Sequence, residues 1–225
     1  RVRGLTLTAL AILLGYWAVL ALVPAPGGLP GDYSKAGNLA GWLDRRLLPG
    51  QIPAQWYGFG DNEGLLSTIP AVATALLGVL TGMWLKSGWS GVLKAGGLAA
   101  AGVVLVFGGY EWARWFPIIK NIWTSSFVLV AGGYSLLLLS VFYLLIDVVG
   151  LRRPAFFWSV IGVNAITIYM VPRFVDFDRM AEFFLGGAAR QLGGSWGLVL
   201  LATGGLVAQW LFLYWLYRTR TFLRL

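Results

Sequence analysis

The sequence predicts an all-α polytopic transmembrane helical bundle with about six spans. Hydrophobic residues make up 58% of the chain and charged residues 12%, whereas soluble domains carry about 25% charged residues. The mean hydropathy is +0.75. Apolar runs of about 20 residues recur along the chain, and a helix of that length crosses the ~30 Å apolar core of a bilayer.

The apolar runs predict six spans, which we expect to form a single transmembrane domain over residues 1–225. The predicted spans are 5–23, 65–85, 91–109, 123–146, 155–171 and 196–217. The fifth is the shortest, and its length of about 25 Å requires a locally thinned bilayer or anchoring flanks. Because starting the second span at Pro70 would leave only about 24 Å, we prefer a helix from Leu65 with a kink near Pro70.

The loop 24–64 between the first two spans is expected on the outer side. It opens with the turn-forming stretch PAPGGLPGDY. Leu39, Trp42, Leu43 and Leu47 then recur at helical spacing. They predict a short interfacial helix, which lies on the membrane surface or packs over the bundle. Within the second span, Gly78 and Gly82 form a GxxxG pair, a signal of close helix packing.

Basic residues indicate the orientation of the spans. Nine Lys and Arg residues flank short loops and tails, and eight lie in longer loops on the opposite side. Since the positive-inside rule applies to short loops, both termini are predicted to be cytoplasmic. Every acidic residue except Asp147 then lies on the outer side.

The residue types that are absent exclude several chemistries. The chain has neither cysteine nor histidine, so it contains no thiolate metal site and no Ser–His or Cys–His nucleophile. We predict no metal site. The net charge of +8 would suggest nucleic acid in a soluble chain, but here it is explained by cytoplasmic anchoring, and no nucleic-acid partner is predicted.

Two acids, Asp61 and Glu63, stand just before the second span. One interpretation places them at a helix N-terminus, where the helix dipole favours negative charge. The other is that they line an outer pocket, where they bind a polar ligand or take a proton. The sequence leaves both open.

A second polar group precedes the fourth span in FPIIKNIWTSSF, residues 116–127. Lys120 at a helix N-terminus opposes the dipole unless an anion balances it. With the hydroxyls of Thr124 and Ser125 it predicts an anion or carbonyl site. Alternatively, Thr124 or Ser125 caps the helix and Lys120 extends to water. A joint hypothesis pairs Lys120 with Asp61 or Glu63.

The fifth span contains Asn164. An asparagine side chain in hydrocarbon needs hydrogen-bond partners. It serves either as a contact between helices or as a ligand contact.

These segments resemble the heparan-alpha-glucosaminide N-acetyltransferase family and its bacterial NagX-like membrane relatives (DUF5009), in their C-terminal half. The segments that carry the resemblance are GDNEGLLSTIPAVATALLGVLTG, PIIKNIWTSSFVL, DVVGLRRPAFFWSVIGVNAITIY and the basic tail LYRTRTFLRL. Their order and spacing match over most of the chain. The positions that match polar positions of the family are Asp61, Glu63, Gly64, Lys120, Asn121, Trp123 and Asn164. Asn62 stands where the family commonly has proline.

The resemblance implies part of a membrane acyltransferase that moves an acetyl group from cytoplasmic acetyl-CoA to an amino sugar or related cell-envelope glycan on the non-cytoplasmic side. Together with the polar residues described above, this function predicts substrate binding by Asp61, Glu63, Lys120, Asn121, Trp123, Thr124, Ser125 and Asn164. Because the attacking amine must be neutral, a base is needed, and Asp61 or Glu63 is expected to assist. The family's histidine belongs to an N-terminal half that we expect to be missing here, so no catalytic residue is assigned. We expect a bacterial inner-membrane protein, for which a homo-oligomer is compatible with the sequence.

Two rival functions stay open. A small-solute transporter or permease predicts ionisable residues near the bilayer midplane and broken helices. A non-catalytic membrane subunit is the other rival, because this chain lacks the histidine.

Overall fold

The computed structural model describes residues 2–48, 60–61 and 64–221. These ranges are helical and contain no strand, which confirms the all-α fold class. Five of the helices are long and apolar enough to cross a membrane, and a bent pair brings the number to six if it counts as one span. The helices of the described ranges are α1 (Val2–Leu22), α2 (Leu39–Leu47), α3 (Thr68–Leu85), α4 (Gly91–Trp112), α5 (Ser125–Tyr143), α6 (Arg152–Val163), α7 (Ala165–Met170), α8 (Phe177–Leu192) and α9 (Gly194–Arg218).

The chain forms two compact units, the first ending at Val149 and the second beginning at Gly150. In the first unit α1 packs along α3 and α4 packs along α5. Ala9, Leu13, Ala73 and Val128 form a core that joins α1, α3 and α5. Helix α5 continues into a π-helical turn at Leu144–Val148, so its membrane segment runs from Ser125 to Val148.

Glycines bring α4 and α5 into backbone contact. A Cβ atom at Gly102 would lie 2.9 Å from the carbonyl oxygen of Gly133, and one at Gly133 would lie 2.8 Å from that of Gly102. The predicted close-packing pair behaves differently, because a Cβ at Gly78 or Gly82 would meet nothing within 4 Å. Glycines therefore do allow a close helix contact, but the contact is between α4 and α5 and does not involve the glycine pair of α3.

Helix α3 begins at Thr68 rather than Leu65, so Pro70 is its third residue. The first residues of a helix have backbone N–H groups without intrahelical partners, and a proline there removes no hydrogen bond. The predicted kink inside a longer helix is therefore replaced by a proline in the first turn of a helix of 18 residues.

Helix α2 packs over the first unit. Asn38 caps it by accepting a hydrogen bond from the Gly41 N–H. Its buried face is Ala40, Gly41 and Asp44, whereas Leu47 is 60% exposed. The buried Ala40 agrees with the packed arrangement, and the placement of α2 at the membrane surface stays a prediction.

In the second unit, the predicted span 155–171 is replaced by two helices. Helices α6 and α7 meet at Asn164 with a bend of 64° between α6 and the segment that ends at Arg173. The next helix, α8, lies where a loop was expected, and it packs along α9. The reversal between α8 and α9 uses Gly193 and Gly194, whose φ angles are +63° and +49°. Val160, Leu213 and Leu216 form the buried core between α6 and α9.

Candidate functional site

Four segments converge at one end of the first unit. Tyr16 and Leu20 of α1, Ala40 of α2, and Phe116 and Ile122 before α5 form a buried cluster. Leu66, just before α3, packs against it. The segments that carry Asp61 and Lys120 therefore reach the same end of the unit, and the pairing of these two side chains stays a prediction.

Asp44 holds the segment that precedes α3. The side chain is 2% exposed. One carboxylate oxygen accepts the N–H of Leu65 at 2.9 Å, and the other accepts the N–H of Asp61 at 3.3 Å. Asp44 thus fixes the position of the backbone at Asp61, a predicted ligand-binding residue.

Two glycines make room for this carboxylate. A Cβ at Gly64 would lie 2.2 Å from an Asp44 oxygen, and a Cβ at Gly60 would lie 2.8 Å from one. Gly60 also has a φ of +124°, a conformation that residues with a side chain rarely adopt. Glycine is therefore needed at positions 60 and 64, because a side chain at either would collide with the Asp44 carboxylate.

Burial raises the pKa of the Asp44 carboxyl above its ordinary value of 3.8, and the nearby Asp61 charge adds to this effect. The two backbone N–H donors and the Arg45 guanidinium oppose it. Desolvation dominates because the charged form loses water on burial.

Asp61 is half-buried, and it precedes the first residue of α3 by seven positions. The first turn of α3 contains no acidic residue, and Ser67 is its N-cap. The interpretation of Asp61 as a helix-dipole partner is therefore wrong. Glu63 lies outside the described residues.

The hydroxyls of the second polar group serve the fold. Thr124 caps α5 by accepting the Phe127 N–H, and it also accepts the Ile119 N–H at 3.0 Å. Ser125 donates to the carbonyl of Leu13 at 2.7 Å. Both side chains are fully buried. The capping interpretation is confirmed, and these hydroxyls fasten the start of α5 to α1 and to the preceding loop.

Lys120 and Asn121 sit at the edge of this arrangement. Lys120 is exposed and Asn121 is half-buried. The carbonyl of the next residue, Ile122, accepts a hydrogen bond from the Tyr16 hydroxyl at 2.5 Å. The backbone beneath Lys120 is therefore fixed to α1, while its ammonium group faces outward.

Trp123 adopts a left-handed conformation with φ of 52°. Such a conformation costs about 1–3 kcal/mol and is retained where the surroundings enforce it. Its indole N–H donates to the Thr74 hydroxyl at 3.1 Å, and its ring packs edge-on against Phe127 at 5.1 Å. Trp123 thereby connects the start of α5 to α3.

Asn164 belongs to the second unit, at the bend between α6 and α7. Its side chain is 1% exposed, and neither its amide nitrogen nor its amide oxygen has a hydrogen-bond partner among the described residues. The Thr167 hydroxyl, one turn later, is also buried without a partner there. Such atoms are costly in a protein interior, so the expected inter-helix hydrogen bond is not formed by the described side chains.

Within residues 2–48, 60–61 and 64–221, no group of three or more acidic side chains is placed to hold a metal ion. The candidate site in this part of the chain therefore consists of a carboxylate, an ammonium group, an indole and amide groups.

Comparison with known proteins identifies the relatives of this chain. Human heparan-alpha-glucosaminide N-acetyltransferase is 30% identical over 195 residues, which cover 71% of this chain and 28% of the relative. The mouse protein of the same name is 30% identical over 166 residues, which cover 64% of this chain and 25% of the relative. The chain belongs to the heparan-alpha-glucosaminide N-acetyltransferase family. It matches about a quarter of the length of these relatives.

No protein-family model matches the chain, so the expected placement among the NagX-like DUF5009 proteins stays a prediction. The same holds for the roles taken from the resemblance to heparan-alpha-glucosaminide N-acetyltransferase. The structure does bring the segments of Asp61, Lys120, Asn121 and Trp123 together in one unit, and it leaves Asn164 in the other.

Sequence reasoning missed Asp44, Thr74 and Thr167. Asp44 is followed by two arginines, a pattern typical of a solvated helix face. The signal that could have found it is the pair of glycines around Asp61, because such glycines mark a close approach of another group. Thr74 and Thr167 lie in apolar runs and carry no such signal.

Proposed function

We propose that the protein acts in an integral-membrane N-acyltransferase. The reaction transfers an acetyl group from cytoplasmic acetyl-CoA to the amino group of an amino sugar, or of a related cell-envelope glycan, on the non-cytoplasmic side of a bacterial inner membrane. The observation that carries the proposal is the 30% identity to heparan-alpha-glucosaminide N-acetyltransferase over most of the chain. The convergence of charged and aromatic residues at one end of the first unit supports it.

In this reaction the lone pair of the amine attacks the thioester carbonyl carbon. A C–N bond forms, the C–S bond breaks, and the CoA thiolate leaves. The attacking amine must be neutral, so a base must accept its proton. Asp61 and Glu63 are the carboxylates of this chain that we propose to assist, beside a histidine expected outside it.

The remaining candidate residues hold the reactants. Lys120 and Asn121 offer an ammonium group and an amide at the outer end, where a sugar hydroxyl or carbonyl accepts hydrogen bonds. Trp123 offers an aromatic ring. The exposed Arg152 and Arg153 at the start of α6, which the basic flanks assign to the cytoplasm, suit the phosphates of a CoA nucleotide.

The decisive experiment is acetyl-CoA-dependent N-acetylation of glucosamine by the full-length protein in proteoliposomes. We expect labelled acetyl groups to appear on the sugar outside vesicles that hold acetyl-CoA inside. Retention of labelled CoA without transfer would instead indicate a binding subunit.

The pairing of Asp61 with Lys120 has its own test, a charge exchange. We expect Asp61→Lys and Lys120→Asp each to lower acetylation at least about tenfold, a loss of about 1.4 kcal/mol in transition-state stabilisation. The double exchange should restore much of the activity. If it restores nothing that the single variants lose, the two side chains do not act as a pair.

A permease is the second candidate, since the second unit has a broken helix with a buried polar residue at the break. Broken helices at membrane depth commonly mark solute sites in transporters. Flux of a glucosamine-like solute in the absence of CoA, abolished by Asn164→Leu, would favour it over the transferase.

A further inference from the structure

Two helices of the second unit cover successive parts of α9. From α6, Phe157 stacks on Trp210 at 5.4 Å and Phe156 contacts Tyr217 at 5.5 Å. From α8, Ala189 contacts Gly197, Ala181 contacts Gly204, and Asp178 contacts Gly205. Helix α8 runs antiparallel to α9, because rising residue numbers in α8 match falling numbers in α9. Helix α6 contacts the following part of α9, between Trp210 and Tyr217.

Helices α6 and α8 therefore cover successive lengths of α9. Their 12 and 16 residues span about 18 Å and about 24 Å, comparable in total with the length of about 37 Å for α9. The segment 164–176 is an excursion between them. Since Gly205 lies near the middle of α9, Asp178 is placed at membrane depth and not in an outer loop.

Helix α8 has two unlike faces at this depth. One face lines an apolar groove with α9 that includes Phe177, Phe184 and Leu211. The opposite face lines two polar clefts of about 330 Å³ and 390 Å³. Three acids and two arginines line these clefts beside α9, namely Asp176, Asp178, Arg179, Glu182 and Arg190.

Charged side chains at membrane depth face a bundle interior or water rather than lipid. The end of the excursion nearer α6 independently requires polar surroundings, because the buried side-chain atoms of Asn164 and Thr167 have no partner among the described residues. Backbone that is not helical at this depth is tolerated beside a water-filled cavity.

We propose that α6 and α8 form a single broken span, and that the charged face of α8 lines a water-filled cleft that enters the membrane from one side. The cleft admits water and small hydrated solutes to the depth of Asp178. The inference goes beyond acyl transfer and does not depend on it, because it concerns solvent access alone.

The test is thiol labelling, which this cysteine-free chain permits without removal of native cysteines. The two variants are Glu182→Cys and Phe183→Cys, at neighbouring positions of nearly equal depth. Glu182 is on the charged face of α8, whereas Phe183, which is 83% exposed, is on another face. A membrane-impermeant cationic methanethiosulfonate is applied to the protein in sealed membranes, from each side in turn. We expect Glu182→Cys to react from one side at least about tenfold faster than Phe183→Cys, because the reactive thiolate forms in water.

A second pair guards against a folding defect in the glutamate variant. Ala202→Cys on α9 lines the polar cleft, and Ala208→Cys on the same helix lines the apolar groove. We expect fast labelling of the first and slow labelling of the second. Equal labelling within each pair would place α8 on the aqueous surface, and no labelling in either would mean that protein fills the cleft; both results overturn the proposal. Labelling as expected without any acetyl transfer would leave the cleft standing while the proposed enzyme function fails.

Discussion

Asp44 illustrates how one buried carboxylate can organise a distant segment. It accepts the N–H groups of Asp61 and Leu65, residues that follow it by 17 and 21 positions. We expect Asp44→Ala to lower the free energy of unfolding by about 2–4 kcal/mol, because it leaves both N–H groups buried without partners. Asp44→Asn keeps one acceptor oxygen and should cost about 1–2 kcal/mol. Thermal unfolding in detergent measures both, and equal stability of the three proteins would contradict the role.

The same variants carry a pH signature. Because burial raises the Asp44 pKa above 3.8, the folded state binds this proton more tightly than the unfolded state. The contribution of Asp44 to the free energy of unfolding therefore rises as the pH falls through its folded-state pKa towards 3.8, and is lost as the pH rises. The stability gap between the wild type and Asp44→Asn should thus be wider at about pH 4, close to the unfolded-state pKa, than at about pH 8. A gap independent of pH would mean that the carboxyl is not desolvated.

The indole of Trp123 and the hydroxyl of Thr74 should act as one unit. We expect Trp123→Phe and Thr74→Val each to lower the free energy of unfolding by about 0.5–1.5 kcal/mol, and the double variant to cost less than their sum. A double-variant cycle of unfolding midpoints checks this. Strict additivity would show that the hydrogen bond contributes nothing to stability.

Single residues also mark the limit of sequence-based prediction. Asp61 and Lys120 were predictable as a convergent pair of segments, because charges beside apolar runs must lie at the rim of a membrane bundle. Asp44 was not, since its partners are backbone N–H groups, which no side-chain pattern reveals. Ser125 looked like a ligand group, yet its hydroxyl is used by the Leu13 carbonyl.

The pair α4 and α5 depends on glycine at the contact. Gly133→Ala would place a methyl group 2.8 Å from the Gly102 carbonyl oxygen, so the helices must separate. We expect a loss of about 1–3 kcal/mol in the free energy of unfolding. Gly82→Ala is the matched control, with nothing within 4 Å of the new methyl group, and should be neutral or slightly stabilising because alanine favours helix. If both variants lose the same stability, helix packing does not explain the effect.

Helix boundaries show which elements the sequence could and could not specify. Helices α1, α4, α5 with its π-helical extension, and α9 match the predicted spans to within three residues at each end. Long apolar runs allow few alternatives. No proline or glycine adjoins Asn164, and the hydropathy of this stretch does not reveal the break between α6 and α7. Helix α8 was taken for a loop because its charges interrupt the apolar pattern, although they recur on one helical face.

The number of membrane crossings predicts on which side of the membrane the two ends of the chain lie. In the part of the chain that the structure describes, five spans and the proposed broken crossing give an even number. The two ends should therefore lie on the same side, which the basic flanks assign to the cytoplasm. In intact cells, Arg3→Cys and Thr221→Cys should resist an impermeant thiol reagent until the membrane is opened. Ser34→Cys, in the exposed stretch before α2, should react at once. If exactly one of the two end positions reacts in intact cells, the number of crossings is odd and the broken crossing is wrong.

At the scale of the molecule, composition alone was sufficient for the fold class, since a chain with 12% charged residues cannot cover six apolar helices with polar surface. The division into two units was beyond reach. It depends on which helices contact one another, and apolar runs of similar composition do not indicate which other helix each one contacts. The proposed single transmembrane domain stays a prediction.

The reversal at Gly193 and Gly194 has a stereochemical consequence. Both residues have positive φ, and a Cβ at either would meet nothing within 4 Å, so handedness and not space demands glycine there. A mirror-image D-alanine, introduced by chemical ligation, should be accepted where the natural enantiomer strains the corner.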